Sequence, residues 1–190
     1  MPRLQRSIWS AAGRSDVPTP VGHALGALTL GWVATSRPSS MGAAWVQSAI
    51  FVAVGVAPDL DLLIGRHRQE THSIGAAAVL ASAAVFMRWP AADRAWRTWT
   101  AIFLASLSHP ILDALGTDRA APFGIMAWWP FSRSYFHTGW DVFLPVPRRW
   151  YEAGFVWQIA RAAAHEVLIL VPLAAASWML RRGRRQTGYS

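Results

Sequence analysis

The chain has 190 residues, enough for one domain, and only 15% of them are charged, against roughly 25% in soluble domains, while 53% are hydrophobic. Its formal net charge of +8 comes from arginine alone, scattered between apolar segments, so no nucleic-acid-binding surface is evident. Cysteine is absent, which excludes disulfides and means that any metal must be held by nitrogen and oxygen atoms.

The predicted elements begin with a polar or amphipathic lead-in over residues 1–20, which lacks the apolar core of a signal peptide. One helical domain is predicted over residues 21–180, followed by a basic tail over 181–190. Five apolar segments without strand-like alternation are predicted to be helices: Val21–Thr35, Gly42–Ala57, Ser73–Met87, Thr98–Leu115 and His165–Leu180. The region 116–164 is predicted to be a folded loop with one short helix around Tyr151–Ala163.

Two architectures are compatible with these segments. Several segments fall short of the ~20 residues that a full membrane span needs, so a soluble all-helical bundle stays open. The 12 tryptophans favour a membrane, because many stand at segment ends, as in interfacial belts. The basic cluster Arg181–Arg185 is typical of a cytoplasmic anchor beside a membrane helix. We therefore predict an all-α, multi-pass bundle of about five helices in a lipid bilayer.

Metal-ligand residues border the apolar segments in three runs, Pro58–Asp61, His67–Ser73 and Ser108–Asp113. Imidazole and carboxylate groups are costly near a bilayer interior, so such a cluster predicts function. If the helices cross alternately, these runs fall on one face together with the remaining histidines. Arginine is denser on the opposite face, but the lead-in also carries arginine, which leaves the orientation open. The sequence thus predicts one polar site at one membrane face.

His109 and Asp113 are four residues apart, so on a helix their side chains share one face and can bind one ion. Pro110 between them leaves two alternatives, since the residue before proline avoids helical geometry. Either the helix kinks at His109, or a new helix begins at Pro110 with His109 at its cap. An interfacial histidine beside a helix-capping aspartate is the non-functional reading of this run.

Asp59 and Asp61 follow Pro58 in a predicted turn. Such a pair is ordinarily a helix cap with a solvated neighbour, but beside histidines one becomes a ligand. The other is then a bridging ligand, a group that orients a ligand, or a general base. His72 at a helix start can turn its ring into the site, and His23 is either an interface histidine or a ligand.

Three further groups of polar residues lie outside this core set. His67 with Arg68 is expected to contact an anionic substrate group, because guanidinium pairs with phosphate or carboxylate in two-pronged fashion. His137, with Asp141 four residues later, and the pair His165–Glu166 can supply ligands for a further ion, but neither pair belongs to a recognised motif.

Mixed His and Asp ligands without thiolates suit Zn²⁺, with Mn or Fe as alternatives, in a site of one or two ions. Two ions sharing Asp113 can clamp an ester and activate a water. No serine elbow or glycine-rich phosphate loop offers a rival mechanism. We therefore predict a metal-dependent hydrolase that cleaves a lipid or nucleotide-derived phosphoester. A transport or metal-handling protein, or a scaffold with a structural metal, stays open. The predicted metal ligands are Asp59, His72, His109 and Asp113, with His23 as a fifth ligand if it is not an interface histidine, and the predicted catalytic residues are Asp59, Asp61, His67 and Arg68.

Together with Trp129–Ser132, the three runs resemble the signature of the YdjM-type membrane-bound metal-dependent hydrolases, from about His23 to Ser132. The resemblance implies a multi-pass inner-membrane protein with hydrolase activity. The order His, Asp, His, His-x-x-x-Asp is more distantly similar to the zinc-dependent phospholipase C and P1 nuclease superfamily. That likeness implies one ion held by Asp59, His72, His109 and Asp113, and a second by Asp113 with His23.

Overall fold

The computed structural model describes residues 14–15, 18–65, 67–118, 121–147, 151 and 153–182, so most of the predicted lead-in and tail lie outside it. Its described part contains two 3₁₀ helices, Ala57–Ile64 and Glu70–His72, and a two-residue antiparallel pair, β1 (Arg14–Ser15) with β2 (Val146–Pro147). The α-helices are α1 (Pro20–Ala34), α2 (Met41–Val56), α3 (Ile74–Phe86), α4 (Ala95–Leu115) and α5 (Phe155–Arg182). The predicted all-α class with about five helices is confirmed.

Three helices begin at a hydroxyl residue that caps them. The side chains of Thr19, Ser40 and Ser73 each accept a hydrogen bond from the backbone N–H three residues later. Such a cap satisfies one of the amide groups that the first helical turn leaves without a partner. Local sequence therefore sets where α1, α2 and α3 begin.

Helix α1 lies at the centre of the bundle and packs against α2, α4 and α5, while α3 packs against α4. Small residues allow the close approach. A Cβ added at Gly55 would overlap the side chain of Ala27, and one added at Gly26 would lie 2.6 Å from Leu112 Cδ1. Because the backbones meet this closely, short side chains at the ends of neighbouring helices can reach one another. The main core cluster is Ala27, Phe51, Val54, Ala81, Ala84, Ala91, Ala101, Ile102 and Ala105.

The prediction of a short helix near Tyr151–Ala163 and a separate one from His165 was wrong. Helix α5 is continuous over 28 residues from Phe155 to Arg182. The alanine-rich stretch from Phe155 to Ala164 contains no glycine or proline that would end a helix. The polar residues His165 and Glu166 therefore lie within α5 and do not mark its start.

Two helical stretches are long and apolar enough to cross a membrane. They are Met41–Ile64, which joins α2 to the first 3₁₀ helix, and Phe155–Arg181 in α5. Helix α3 is apolar but has only 13 residues, and α1 has 15. Both are below the ~20 residues of a full span, so a crossing by every helix stays a prediction.

The loop between α4 and α5 closes over one end of the bundle. The amides of Ile74 and Gly75 donate to the carbonyls of Ala127 and Trp129, and the amide of Met126 donates to the carbonyl of Arg68. These bonds fasten the loop to the start of α3 and to the segment before it. The folded loop expected over this region is therefore present in its described part, at the same end as the predicted polar site.

Candidate metal centre

Five side chains converge at this end of the bundle. Asp113 lies centrally, with Oδ1 3.3 Å from His23 Nε2 and Oδ2 3.4 Å from both His72 Nε2 and His109 Nε2. Asp59 approaches the same point, with Oδ1 3.5 Å from His109 Nε2 and 3.7 Å from His72 Nε2. The predicted metal ligands, which come from α1, both 3₁₀ helices and α4, therefore meet around one position.

The donor atoms of this cluster fit a divalent cation. Those that are buried without a hydrogen-bond partner include Nε2 of His23, His72 and His109, Oδ1 of Asp59 and both carboxylate oxygens of Asp113. Buried polar atoms are normally paired, so a group of them facing one another indicates an ion site. Two ligands of a tetrahedral ion with bonds of about 2.1 Å stand roughly 3.4 Å apart, which agrees with the spacings found here.

The outer nitrogens of two histidines are held by neighbouring acceptors. His109 Nδ1 lies 2.7 Å from the carbonyl oxygen of Gly55, and His72 Nδ1 lies 3.2 Å from Asp61 Oδ2. With the proton on Nδ1, each ring presents Nε2 to the centre, as metal-binding histidines commonly do. Thr71 Oγ1 also donates to Asp61 Oδ2. Asp61 thus holds the ring of His72 in place, and whether that ring is a metal ligand stays a prediction.

The carboxylates also act on the charge of His72, which lies outside the two candidate spans. Burial by itself lowers the pKa of His72, but the carboxylates of Asp59, Asp61 and Asp113 outweigh it and raise that pKa to about 9. In the ion-free protein His72 is therefore protonated at neutral pH, and a cation that binds Nε2 has to displace that proton.

Local structure explains how the paired residues are aimed. Helix α4 continues through Pro110, so the alternative in which a new helix begins there was wrong, and His109 and Asp113 lie one turn apart. Asp59 and Asp61 lie in a 3₁₀ helix and not in the predicted turn. With three residues per turn, residues two apart point in different directions. Asp59 accordingly faces the centre, whereas Asp61 faces the rings of His67 and His72.

His67 and Arg68 lie beside the centre with different partners. His67 Nδ1 is 3.1 Å from Asp61 Oδ1 and 3.9 Å from Asp59 Oδ1. The ligand atoms of Asp59, His67 and His72 lie within 4.8 Å of one another and form a second group that could hold an ion. Arg68 is buried and donates from Nη1 to Asp118 Oδ2 at 2.9 Å. Asp118 also accepts from the Gly124 amide, so the pair fastens the covering loop.

Two further polar residues at this end, His137 and Glu166, have other contacts. Both ring nitrogens of His137 are used, since Nε2 lies 2.9 Å from the Gly116 carbonyl oxygen and Nδ1 accepts from the Gly139 amide. Glu166 is fully buried and accepts hydrogen bonds from the amide and hydroxyl of Thr19. A carboxylate at this position complements the amino end of α1. These contacts place His137 and Glu166 in structural roles.

Sequence reasoning missed several of the supporting groups. The Gly55 carbonyl that holds His109, the Asp118 carboxylate that holds Arg68 and the contact between Glu166 and Thr19 join positions far apart in the chain. No local motif marks any of these pairings. The hydroxyl of Thr71, by contrast, belongs to a run already singled out, and its position beside His72 was a usable signal.

Fold and site together define a helical protein with two stretches long and apolar enough to cross a membrane and a buried His/Asp centre that could hold a metal ion. The chain belongs to the YdjM inner membrane protein family, whose model matches residues 19–184. No curated protein and no solved structure matches it. The family resemblance seen in the sequence is thereby confirmed, and with it an inner-membrane protein.

Proposed function

We propose that this protein is a membrane-bound, metal-dependent hydrolase that cleaves a phosphoester at the centre built by His23, Asp59, His72, His109 and Asp113. The observation that carries the proposal is the group of buried ligand atoms that face one another without hydrogen-bond partners. The donor set of imidazole and carboxylate, without thiolate, favours zinc over manganese or iron. A bound divalent ion supplies Lewis-acid polarisation of a phosphoryl oxygen and lowers the pKa of a water.

Access to the centre is one-sided. The side chains of His23, His72, His109 and Asp113 have no exposed surface, whereas that of Asp59 is 15% exposed. A substrate therefore approaches along Asp59. Asp59 would bind the ion at the exposed side of the centre, and the buried side chains of Asp113 and the three histidines would supply the other ligands.

His67 is the group placed to accept a proton on that open side. Asp61 Oδ1 lies 3.1 Å from its Nδ1, which fixes the tautomer and makes Nε2 the basic nitrogen of the ring. Nδ1 is also 3.9 Å from Asp59 Oδ1, so the ring stands next to the carboxylate along which a substrate approaches. Asp61 and His67 then form a base and its orienting group. Because Asp118 neutralises Arg68, we assign Arg68 to positioning this segment rather than to binding the substrate phosphate.

The surroundings of Asp59 favour a lipid phosphoester over a nucleotide-derived one. Its neighbours on the first 3₁₀ helix include Leu60, Leu63 and Ile64, which are 62%, 83% and 71% exposed. This helix is the last part of one of the two stretches that are long and apolar enough to span a membrane. Apolar side chains beside the approach suit acyl chains, and exposed apolar patches of this kind mark contact with lipid or another apolar partner.

A second candidate is a scaffold in which the ion only stabilises the fold. It is favoured by one observation, the complete burial of four of the five ligand side chains. Structural metal sites are closed in this way, whereas catalytic sites keep an open position. The two candidates differ in what they require of His67, which lies beside the five-residue centre and is not needed to hold one ion there.

The test uses the full-length protein purified in detergent, with metal content measured and hydrolysis of phospholipid and aryl phosphodiesters followed. We expect bound zinc and activity in wild type, loss of both in Asp113→Ala, and in His67→Gln retention of metal with activity lowered about 10²–10⁴-fold. His137→Gln, at the same end but outside the cluster, serves as the matched control. Wild-type protein that holds metal but cleaves no ester would establish the scaffold, and protein that binds no metal would eliminate both candidates.

A further inference from the structure

A guanidinium is buried at the end of the bundle opposite the metal centre. Arg181 near the end of α5 is 1% exposed, and its Nη1 donates to Gln47 Oε1 at 2.8 Å. The amide nitrogen of Gln47 is already used by the Ala91 carbonyl, 2.7 Å away. Nε and Nη2 of Arg181 have no hydrogen-bond partner among the described residues. A buried cation without a nearby anion is costly, so an anion that binds close to it is stabilised.

A second arginine shares the same aromatic support. The guanidinium carbon of Arg181 lies 3.8 Å from the ring centroid of Trp178 and 4.9 Å from that of Trp32. Arg37 lies over Trp178 as well, at 5.8 Å, and its Nη2 is 3.7 Å from Met41 Sδ. Arg37 is also the charged side chain that acts electrostatically on Arg181. Two cations therefore meet at one indole, and Arg37 is the one that reaches the surface.

An apolar groove with a volume of about 580 Å³ runs from this point along the bundle. Helices α1, α2 and α5 form it, and its lining includes Leu28, Trp32, Met41, Trp45, Val52 and Trp178. The wall contributed by α2 runs from Met41 to Ala53, about 18 Å at 1.5 Å per residue. That length is close to half of the ~30 Å hydrocarbon core, the depth of one leaflet. Both candidate membrane spans line the groove, so its open side faces lipid.

We propose that the groove binds one acidic phospholipid at the end of the protein opposite the metal centre. An acyl chain lies along α2 between Trp32, Trp45 and Trp178, and the phosphate pairs with Arg37. Arg181 contributes its charge from beneath Trp178. Guanidinium groups bind phosphate oxygens in pairs of hydrogen bonds, and tryptophan is suited to the depth at which headgroup and chain meet. The charge pattern, with Arg37 at the surface and Arg181 buried beneath Trp178 beside the apolar groove, favours an anionic lipid over a zwitterionic one.

The test compares lipid retention by native mass spectrometry after full-length protein is mixed with equal amounts of phosphatidylglycerol and phosphatidylcholine. Juxtamembrane basic residues each strengthen binding of anionic lipid about fivefold, so two should give a preference of about 30-fold in wild type. Arg37→Gln should reduce that preference to about fivefold. Ala49→Trp, which fills the groove from an exposed position, should lower retention of both lipids. Arg88→Gln, exposed at the same end but outside the groove lining, should behave as wild type.

Three outcomes would overturn the proposal. Equal retention of the two lipids by wild type would show that the arginines do not select an anion. If Arg88→Gln lowers the preference for phosphatidylglycerol as much as Arg37→Gln does, the preference reflects general surface charge and not a specific site. Displacement of phosphatidylglycerol by an equal concentration of inorganic phosphate would show a free-anion site without a chain-binding groove. The thermal unfolding midpoint of each variant is measured as well, so that reduced lipid retention can be distinguished from unfolding of the protein.

Discussion

Gly55→Ala tests the link between helix packing and the metal centre. An added Cβ would overlap Ala27 and lie 3.1 Å from the backbone carbonyl oxygen of His23. Carbon atoms prefer separations of about 3.5–4.0 Å, so α1 and α2 have to move apart by about 1 Å. The same residue supplies the carbonyl that holds His109 Nδ1 at 2.7 Å. The substitution therefore disturbs two ligands at once without changing any of them.

The expected magnitude follows from these contacts. Overpacking of a closed interface costs about 1–3 kcal/mol, which should lower the unfolding midpoint of the metal-free protein. A ligand position tolerates changes of only about 0.2 Å, and loss of an orienting contact weakens metal binding about 10–100-fold. We expect zinc affinity, measured by competition with a chromogenic chelator in detergent, to fall in that range.

Gly42→Ala is the matched control on the same helix, because nothing lies within 4 Å of a Cβ added there. Alanine within a helix is more favourable than glycine by about 0.5–1 kcal/mol, so this variant should be slightly more stable and bind zinc normally. Wild-type zinc affinity and stability in Gly55→Ala would refute the claim that the closeness of α1 and α2 positions the centre.

Three further predictions concern the protonation of His72, the carboxylate of Asp61 and the helix cap at Thr19. The pKa of His72 is raised from 6.5 to about 9, so protonated His72 contributes stability that is fully present below pH 6.5 and is lost as the pH rises through about 9. The unfolding midpoint of the ion-free protein should therefore fall over that pH range. Zinc affinity should rise about tenfold per pH unit from 7 to 9, because zinc has to displace the His72 proton. Asp61→Asn keeps every proposed ligand but removes the carboxylate beside His72 Nδ1, and zinc affinity at pH 9 should drop about 10–100-fold; an unchanged affinity would remove Asp61 from the support of the centre. Thr19→Ala removes the cap of α1 and a hydroxyl bound to Glu166, so thermal unfolding should show a loss of about 0.5–2 kcal/mol, and an unaltered midpoint would contradict this role.

The helical segments could be predicted because they depend on local sequence. Apolar runs without alternation indicated helices, and the hydroxyl caps at Thr19, Ser40 and Ser73 mark helix starts in the structure. The predicted boundary at His165 was wrong because it depends on a tertiary contact and not on local sequence. Polar side chains on one side of a long helix look like an interruption when the neighbouring helix that buries Glu166 is unknown.

The residues that meet at the centre could also be singled out from the sequence, since imidazole and carboxylate groups are costly beside apolar segments. Spacing was sufficient to pair His109 with Asp113, because a helix brings residues four apart onto one face. It could not show that α4 continues through Pro110, nor that Asp59 and Asp61 are aimed apart by a 3₁₀ helix. Those outcomes depend on how the surrounding helices pack.

The helical class, the family and the five polar residues that lie at the centre could be read from the sequence, because each depends on residue type and short-range spacing. The tertiary structure alone decided that these side chains meet at one point, that Asp61 and the Gly55 carbonyl orient them, and that Arg68 is paired with Asp118. It also buried Arg181 beside an apolar groove at the other end. Long-range contacts of this kind join residues up to 147 positions apart, as between Thr19 and Glu166, and the close packing of α1 against its neighbours brings them within reach.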